Sequence, residues 1–173
     1  MTSEVASVSV AGRRFELEPH NCFACGALNT HGINLSLHVS GERCWTDIAL
    51  PDRFEGWEGI AHGGIVCTLL DEVMAWALID HDVWGLTARM TVNFKRPVPI
   101  RRRIRAEGWV TEVDRRLLST AGQVLDPLTG EVLATAQGVY VPATADRKRE
   151  LQSRYRFTLV PEPPLADAPD TVD

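Results

Sequence analysis

The stretch IVCTLLDEVMAWALI at residues 65–79 decides the fold, because its fifteen residues include neither glycine nor proline. It follows the glycine-rich segment FEGWEGIAHGG, residues 54–64, and predicts the one long helix of the chain. Seven apolar residues recur at helical spacing and form one face of it: Val66, Leu69, Leu70, Val73, Met74, Trp76 and Ala77. We expect that face to pack against the core.

The other side of this helix is not fully polar either, since Cys67, Ala75, Leu78 and Ile79 lie there. A helix that is apolar nearly all round is buried on both sides. The sequence indicates no second helix for this task, although residues 146–157 could form a helical turn or an arm. We therefore expect a second copy of the chain to cover the back of the helix, in a homodimer or a dimer of dimers.

Strand patterns flank the helix. Alternating apolar and polar residues predict strands at 33–39, 44–50 and 86–94, and extended runs follow at 103–113, 117–125 and 131–141. A weaker alternation within residues 6–17 suggests an N-terminal hairpin. One long helix with five or six antiparallel strands defines an α+β fold, in which a curved sheet wraps around the helix.

Length and composition fit one globular domain with tails, since the chain has 173 residues, of which 45% are hydrophobic and 24% charged. We divide it into an N-terminal extension (1–19), a domain (20–143) and a C-terminal arm (144–173). The arm ends in PEPPLADAPDTVD, an acidic, proline-rich tail that we expect to be disordered.

Charge and hydropathy exclude several classes of protein. The net charge of −5 has the wrong sign for a generic nucleic-acid binder. The chain contains neither a membrane-spanning run nor the start of a signal peptide, so we expect a cytoplasmic protein without membrane partners. In that compartment, its four cysteines are expected to be free thiols.

Two features of the helix point to chemistry. Asp71 has apolar neighbours one turn away on either side, and the helix contains no Lys or Arg, so this carboxylate is costly unless it acts as a base. The alternative is a solvent-facing Asp beside Glu72. His62-Gly63-Gly64 precedes the apolar run and leaves backbone N–H groups unobstructed, which is typical of an oxyanion site or simply of a tight entry turn.

Four segments in order resemble the hotdog-fold acyl-CoA thioesterases, specifically the phenylacetate-degradation (PaaI-type) branch and its eukaryotic relatives, over about residues 20–142. They are CFACGALNTHGINL, FEGWEGIAHGGIVCTLLDEVMAWAL, LTARMTVNFKRPVPI and GEVLATAQGVYV. The resemblance implies hydrolysis of acyl-CoA to a carboxylic acid and CoA, with CoA as part of the substrate and no other cofactor. It makes Gly63 or Gly64 the oxyanion donor, and Asp71 the general base or nucleophile.

The same resemblance gives Thr87 the task of placing water and His62 a positioning role. Some relatives carry Asn or Gln where this chain has Gly56, which leaves open the residue that orients the lytic water. Two alternatives also stay open: a non-catalytic acyl-CoA binding or sensing module, and a hotdog acyl-CoA hydratase. Asp71 argues against a pure binder, and we find no hydratase-type Asp–His segment.

The spacing along the helix predicts a site shared by two chains. Gly64 and Asp71 are seven residues apart, or about 10.5 Å along a helix. One thioester carbonyl needs its donor and its base each within about 3 Å. Two helices packed antiparallel across a two-fold axis would bring the glycines of one chain to Asp71 of the other, with two sites per dimer.

A cationic group could bind the phosphates of coenzyme A, or could simply be solvated. Its members are Lys95, Arg96, Arg101, Arg102, Arg103 and Arg105. We favour Lys95 and Arg96, which follow the strand at 86–94, and group Asn93 of that strand with them as substrate-binding residues.

Four residues near the N-terminus have side chains of the types that bind zinc, namely His20, Cys22, Cys25 and His31. Their spacing is irregular and a second Cys-x-x-Cys pair is missing. The sequence therefore favours a loop of reduced thiols and predicts no metal site.

Overall fold

The computed structural model describes residues 6–10, 13–155 and 158–161. The strands are β1 Ala6–Val10, β2 Arg13–Leu17, β3 Leu37–Ser40, β4 Arg43–Ala49, β5 Glu55–Trp57, β6 Ile60–Ala61, β7 Gly85–Phe94, β8 Arg103–Val113, β9 Leu118–Leu125, β10 Val132–Pro142 and β11 Thr158–Pro161. The α-helices are α1 Gly63–Ala77 and α2 Ala145–Tyr155, and 3-10 turns occupy Asp52–Phe54 and Leu78–His81. No helix in the described ranges is long and apolar enough to cross a membrane.

The sheet has a central part of six strands in the order β3-β4-β8-β9-β10-β7, in which all neighbours are antiparallel. Helix α1 packs against it, so the predicted α+β architecture is confirmed. β1 and β2 form a hairpin that continues the sheet beyond β3, and β11 pairs with β2. The predicted disordered tail begins at Pro161, and residues 162–173 lie outside the described residues.

Helix α1 lies very close to the sheet because glycine faces it at the crossing point. A Cβ at Gly108 of β8 would lie 2.7 Å from the backbone nitrogen of Met74, so a side chain there would push the helix away. The predicted core face is buried, and Leu69, Val73 and Met74 are fully enclosed. Trp76 is the exception, because it is half-buried on the flank of α1.

The strand predicted at 33–39 begins later than expected, at Leu37. Asn34 has a left-handed φ of 56°, which interrupts a strand. Ile33 and Leu35 are nevertheless buried, and their N–H groups donate to the carbonyl oxygens of residues 23 and 24. The alternation therefore reflects packing against the preceding loop that carries Cys22 and Cys25, here called the cysteine loop, rather than pairing within the sheet.

A second helix, α2, occupies the region where the sequence suggested a helical turn or an arm. Helix α2 and the C-terminal half of α1 together line an apolar pocket of about 230 Å³, with Ala75 and Ile79 on one side and Arg147 and Leu151 on the other. None of the residues of α2 is buried, and a polar helix lacks the apolar stripe needed to cover the back of α1. That a second copy of the chain covers it stays a prediction.

Strand β7 departs from strict alternation. Met90 and Val92 pack against the core as expected, but the register with β10 shifts so that Ala88 has no partner. Such a bulge changes the direction of the side chains beyond it. Leu86, expected on the buried face, is 66% exposed, and Thr87 points toward α1 instead.

Candidate active site

Asp71 lies in the middle of α1, where its carboxylate meets two hydroxyl groups from the sheet. Thr87 of β7 donates a hydrogen bond to Asp71 Oδ1 at 2.8 Å, and the Tyr140 hydroxyl donates to the same oxygen at 3.1 Å. Thr87 and Tyr140 face each other across β7 and β10, next to the bulge at Ala88. Within residues 18–155, Oδ2 accepts no hydrogen bond. The half-buried carboxylate is thus held at one oxygen and open at the other.

Tyr140 was not among the residues singled out from the sequence. It is fully buried, and burial, together with the charge of Asp71, raises its pKa well above the usual value, so it stays a neutral donor. Gly138 leaves room for its ring, since a Cβ there would lie 2.8 Å from a ring carbon. The sequence does contain one sign of this role, because a tyrosine inside an apolar strand needs a hydrogen-bond partner for its hydroxyl.

The two candidate N–H donors at the start of α1, Gly63 and Gly64, differ in whether their N–H already has an acceptor. His62 is the N-cap residue, and its Nδ1 accepts the Gly64 N–H at 3.0 Å. The His62 N–H donates to the Phe54 carbonyl at 2.8 Å, which fixes the cap. Among the described residues, nothing accepts the Gly63 N–H. Gly63 is therefore the better candidate for binding an anionic oxygen, and His62 is the residue that shapes this end of the helix.

Gly56 packs directly against His62, because a Cβ at Gly56 would lie 2.8 Å from the His62 Cα. This position cannot hold the Asn or Gln side chain that some relatives carry. Thr87 can take over part of the task of orienting water. The Thr87 hydroxyl donates its one proton to Asp71, and its oxygen can still accept a hydrogen bond from water.

The two halves of the candidate site do not meet within one chain. Helix α1 is continuous from Gly63 to Ala77. Gly63 and Asp71 are eight residues apart, which corresponds to about 12 Å along the axis. The Gly63 N–H and the Asp71 carboxylate of one protomer therefore cannot both contact one carbonyl group.

A groove of about 370 Å³ runs from the start of α1 to the end of β7, and Gly63, Phe94, Lys95 and Arg96 line it. Arg96 also forms an ion pair with Glu131, with Nε 3.2 Å from Oε1. The groove thus joins the candidate N–H donor to the two favoured cations. Asn93 is exposed and is not part of the lining, so the structure does not bring it to either half of the site.

The other predicted cations are engaged in ion pairs inside the chain. The pairs are Arg101–Asp52, Arg102–Asp126, Arg103–Asp47 and Arg105–Asp47. In the part of the chain whose side chains are described, Lys95 is the member of the cationic group without an ion pair. Lys95 is therefore the best placed of these side chains to meet a phosphate.

The cysteine loop lies on the flank of α1. Ligand atoms of His20, Cys22 and Cys25 lie within 4.8 Å of one another, whereas His31 is exposed and outside this group. A hydrogen bond with Cys25 lowers the pKa of Cys22 to about 5, and the same contact, with burial, raises the pKa of Cys25. Burial raises the pKa of nearby Glu72 to about 7.

A single long helix in a curved antiparallel sheet, with an acid in mid-helix and glycines at its start, defines the hotdog class of fold. Comparison with known proteins agrees: the model of the thioesterase superfamily matches residues 58–132. Over this segment the chain is similar to the thioesterase superfamily, and its fold is that of the hotdog class. No protein with a curated description matches the sequence significantly.

Solved structures show the same fold. A thioesterase superfamily protein superposes with a TM-score of 0.66 at 26% identity, over 70% of this chain and 60% of its own length. A Streptococcus mutans protein bound to acetyl-CoA superposes with a TM-score of 0.56 at 17% identity, over 60% of this chain and 82% of that protein. A variant of the phenylacetic acid degradation protein PaaI from Thermus thermophilus superposes with a TM-score of 0.58 at 19% identity, over 63% of this chain and 93% of that protein.

Proposed function

We propose that this chain is a cytoplasmic acyl-CoA thioesterase that acts as a homodimer, alone or as a dimer of dimers. It converts acyl-CoA and water to a carboxylic acid and CoA, with no cofactor besides the CoA of the substrate. The observation that supports this most directly is the Asp71 carboxylate, held at Oδ1 by two hydroxyl groups and open at Oδ2. The match to the thioesterase superfamily model supports a thioester substrate, and the neighbour bound to acetyl-CoA supports a CoA ester.

In the proposed reaction, water sits between Asp71 Oδ2 and the Thr87 hydroxyl. Asp71 takes a proton from this water as its oxygen attacks the thioester carbonyl carbon. The N–H of Gly63 of the partner subunit stabilises the negative charge that develops on the carbonyl oxygen. The carbon–sulfur bond then breaks, and the CoA sulfur receives the proton from Asp71. If Asp71 acts instead as a nucleophile, its carboxylate attacks the carbonyl carbon, the carbon–sulfur bond breaks and CoA leaves as the thiolate. Water then hydrolyses the mixed anhydride to the carboxylic acid and protonated Asp71, which gives its proton to the thiolate.

Strand β7 supports the dimer. It is the edge strand of the sheet, with β10 as its neighbour on one side and no strand of the described chain on the other. Its exposed apolar side chains include Leu86 at 66% and Phe94 at 55%. A long edge with exposed apolar groups favours pairing with another strand. Antiparallel pairing of two β7 strands about a two-fold axis would set the two α1 helices antiparallel, as the shared site requires.

The two pockets suggest how the substrate lies. We assign the phosphates of CoA to the groove near Lys95 in the subunit that donates the Gly63 N–H, because Gly63 lines this groove. We assign the acyl group to the apolar pocket that Ala75, Ile79 and Leu86 line, which begins one turn beyond Asp71. The thioester carbon then falls between the two, near the open carboxylate oxygen.

The test of the function is the variant Asp71→Asn, assayed by thiol release over a panel of acyl-CoA esters. The amide can accept the same two hydrogen bonds, so folding should be kept, but it cannot accept a proton from water. We expect kcat to fall by about 10²- to 10⁴-fold. Unchanged thermal unfolding and unchanged binding of a non-hydrolysable acyl-CoA analogue are the controls.

Turnover by this variant close to that of the wild type would show that Asp71 is not the base or nucleophile. A wild-type chain that binds acyl-CoA but hydrolyses no ester would favour the binding or sensing module instead.

A further inference from the structure

The loop before β3 gathers three side chains that the proposed hydrolysis does not use. Cys25 is buried, and His20 and Cys22 are half-buried beside it. Their ligand atoms lie within 4.8 Å of one another, and the His20 Nε2 is 3.6 Å from the Cys25 Sγ. Around a tetrahedral zinc ion, with bonds of about 2.0–2.3 Å, ligand atoms stand roughly 3.3–3.8 Å apart. Small side-chain rotations would suffice to bring the three atoms to that spacing.

The backbone of the loop directs both sulfur atoms to the same side. The Gly26 N–H donates to the Cys22 carbonyl at 2.9 Å, and the Leu28 N–H donates to the His20 carbonyl at 3.0 Å. A Cβ at Gly26 would lie 2.4 Å from the Cys22 nitrogen, so this turn requires glycine. The turn and its closing glycine bring His20 close to the Cys-x-x-Cys pair, which spacing alone did not indicate.

His20 is oriented as a metal ligand. Its Nδ1 lies 3.1 Å from the Glu18 carbonyl oxygen, to which a ring N–H can donate. With the proton on Nδ1, Nε2 keeps its lone pair and faces Cys25. A second hydrogen bond of this kind typically fixes both the tautomer and the ring direction of metal-binding histidines. The ring also packs edge-on against Tyr155 of α2, with ring centroids 5.3 Å apart.

An acidic side chain of α1 stands next to the cluster. Glu72 interacts with the Cys25 side chain, and its Oε1 accepts the indole N–H of Trp76 at 2.9 Å. Its carboxylate is not among the ligand atoms that lie within 4.8 Å of one another, so water would take the fourth position of a tetrahedral site and could donate a hydrogen bond to Glu72. Glu72 directly follows Asp71, so the cluster lies beside the helix that carries the candidate catalytic acid.

We propose that His20, Cys22 and Cys25 form a structural zinc site, with Glu72 beside them. Two thiolates and one imidazole are a donor set that suits zinc, whereas magnesium and calcium prefer oxygen ligands. The site is independent of the proposed hydrolysis, because none of these residues lies in the groove or the pocket assigned to the substrate.

The experiment is metal loading of the full chain, purified without an affinity tag and stripped with a chelator. Zinc content after gel filtration should reach one ion per chain. Substitution with Co²⁺ should give the visible bands of a tetrahedral site and thiolate-to-cobalt charge transfer. Cys22→Ser and Cys25→Ser should each weaken zinc binding by more than the roughly 10- to 100-fold that loss of an outer-shell contact costs.

Two matched controls change residues of the same types outside the cluster. Cys67→Ser removes a half-buried cysteine of α1, and His31→Gln removes an exposed histidine of the same loop. Both should keep the full zinc content and the cobalt spectrum, as should Asp71→Asn, whatever its effect on hydrolysis. Circular dichroism of each stripped variant shows whether it is folded, and the stripped wild type should gain thermal stability up to one equivalent of zinc.

The proposal is wrong if the stripped, reduced wild type takes up no zinc. It is also wrong if Cys67→Ser loses as much zinc as Cys22→Ser, or if the cobalt spectrum lacks thiolate bands. A disulfide between Cys22 and Cys25 in chain handled under reducing conditions would point to a redox-active pair instead.

Discussion

The sharpest test of the shared site is removal of one backbone N–H group, that of Gly63. Proline at this position deletes the donor without requiring the helix to change. Gly63 is the first residue of α1, a position that proline favours because its N–H has no partner within the helix. His62 already has the extended backbone that a residue before proline prefers, with φ −60° and ψ 133°. Gly63→Pro is therefore a local change to one donor.

The expected loss follows from the role assigned to this N–H. Removing one oxyanion donor typically costs about 10²- to 10³-fold in kcat. We expect that loss in a steady-state thiol-release assay on the best acyl-CoA ester, with a much smaller change in KM, because the donor acts on charge that develops in the transition state. Gly63→Ala is the matched control: it keeps the N–H, and its Cβ would lie 3.4 Å from the Phe94 ring, an ordinary contact.

Mixing two inactive variants tests whether the donor acts across the dimer. A heterodimer of Gly63→Pro and Asp71→Asn chains would contain one intact site, with the N–H of one chain and the carboxylate of the other. We expect activity to return as subunits exchange, to about a quarter of the wild-type value for random pairing of the two chains in equal amounts. Subunit exchange confirmed by native mass spectrometry but without recovered activity would refute the two-chain site. Equal kcat for Gly63→Pro and Gly63→Ala would refute the N–H as oxyanion donor.

Four further substitutions test other parts of the site and fold. Thr87→Val and Tyr140→Phe should each lower kcat by about 10-fold. The double variant should lower kcat by more than the product of the two, because either hydroxyl alone still orients the carboxylate. Additive changes in activation free energy in a double-mutant cycle would contradict this. Lys95→Ala should raise KM for acyl-CoA by several-fold, less so at high salt, and should leave an N-acetylcysteamine thioester unaffected; equal losses on both substrates would give Lys95 a structural role. Asp47→Asn should cost about 1.5–3 kcal/mol in urea unfolding at pH 7, whereas the exposed Asp52→Asn control should cost less than about 1 kcal/mol.

The pH dependence of the Asp47 effect follows from its ion pair. The Arg105 guanidinium, which donates two hydrogen bonds, lowers the pKa of Asp47 below its value in the unfolded chain. The unfolded state therefore binds the proton more readily, and the pair stabilises the fold above a pH of about 4. This stabilisation is lost as the pH falls through the folded-state pKa. The difference in the free energy of unfolding between wild type and Asp47→Asn should accordingly disappear at acid pH. A difference that is independent of pH would contradict this account.

The sequence predicted those features that depend on local periodicity. Helix α1 follows from its apolar face, and Asp71 stands out because its neighbours one turn away are apolar. The position of Thr87 is different, because simple alternation places it on the outer face of β7. The bulge at Ala88 turns it toward α1, and this bulge appears in the pairing of β7 with β10, not in either strand alone.

The contact of Tyr140 with Asp71 and that of His20 with Cys25 could not be predicted from the sequence, for the same kind of reason. The hydroxyl of Tyr140 reaches Asp71 because Gly138 clears space for the ring, a contact between residues about seventy positions apart. His20 meets the cysteines because a turn around Gly26 closes on it. Single-sequence patterns report which face a residue occupies within one element, whereas these contacts depend on how separate elements pack.

The continuity of α1 links catalysis to assembly in the proposed enzyme. One rigid helix carries an N–H donor at its start and a carboxylate about 12 Å further on, so each helix serves two different sites. A monomer then has every residue of the reaction and no complete site. The specific activity should fall when the enzyme is diluted below the dissociation constant of the dimer, while each chain keeps the hydroxyl contacts of its own Asp71. Activity that is independent of dilution, in samples shown by light scattering to be monomeric, would require both halves of the site to come from one chain, which the length of α1 does not allow.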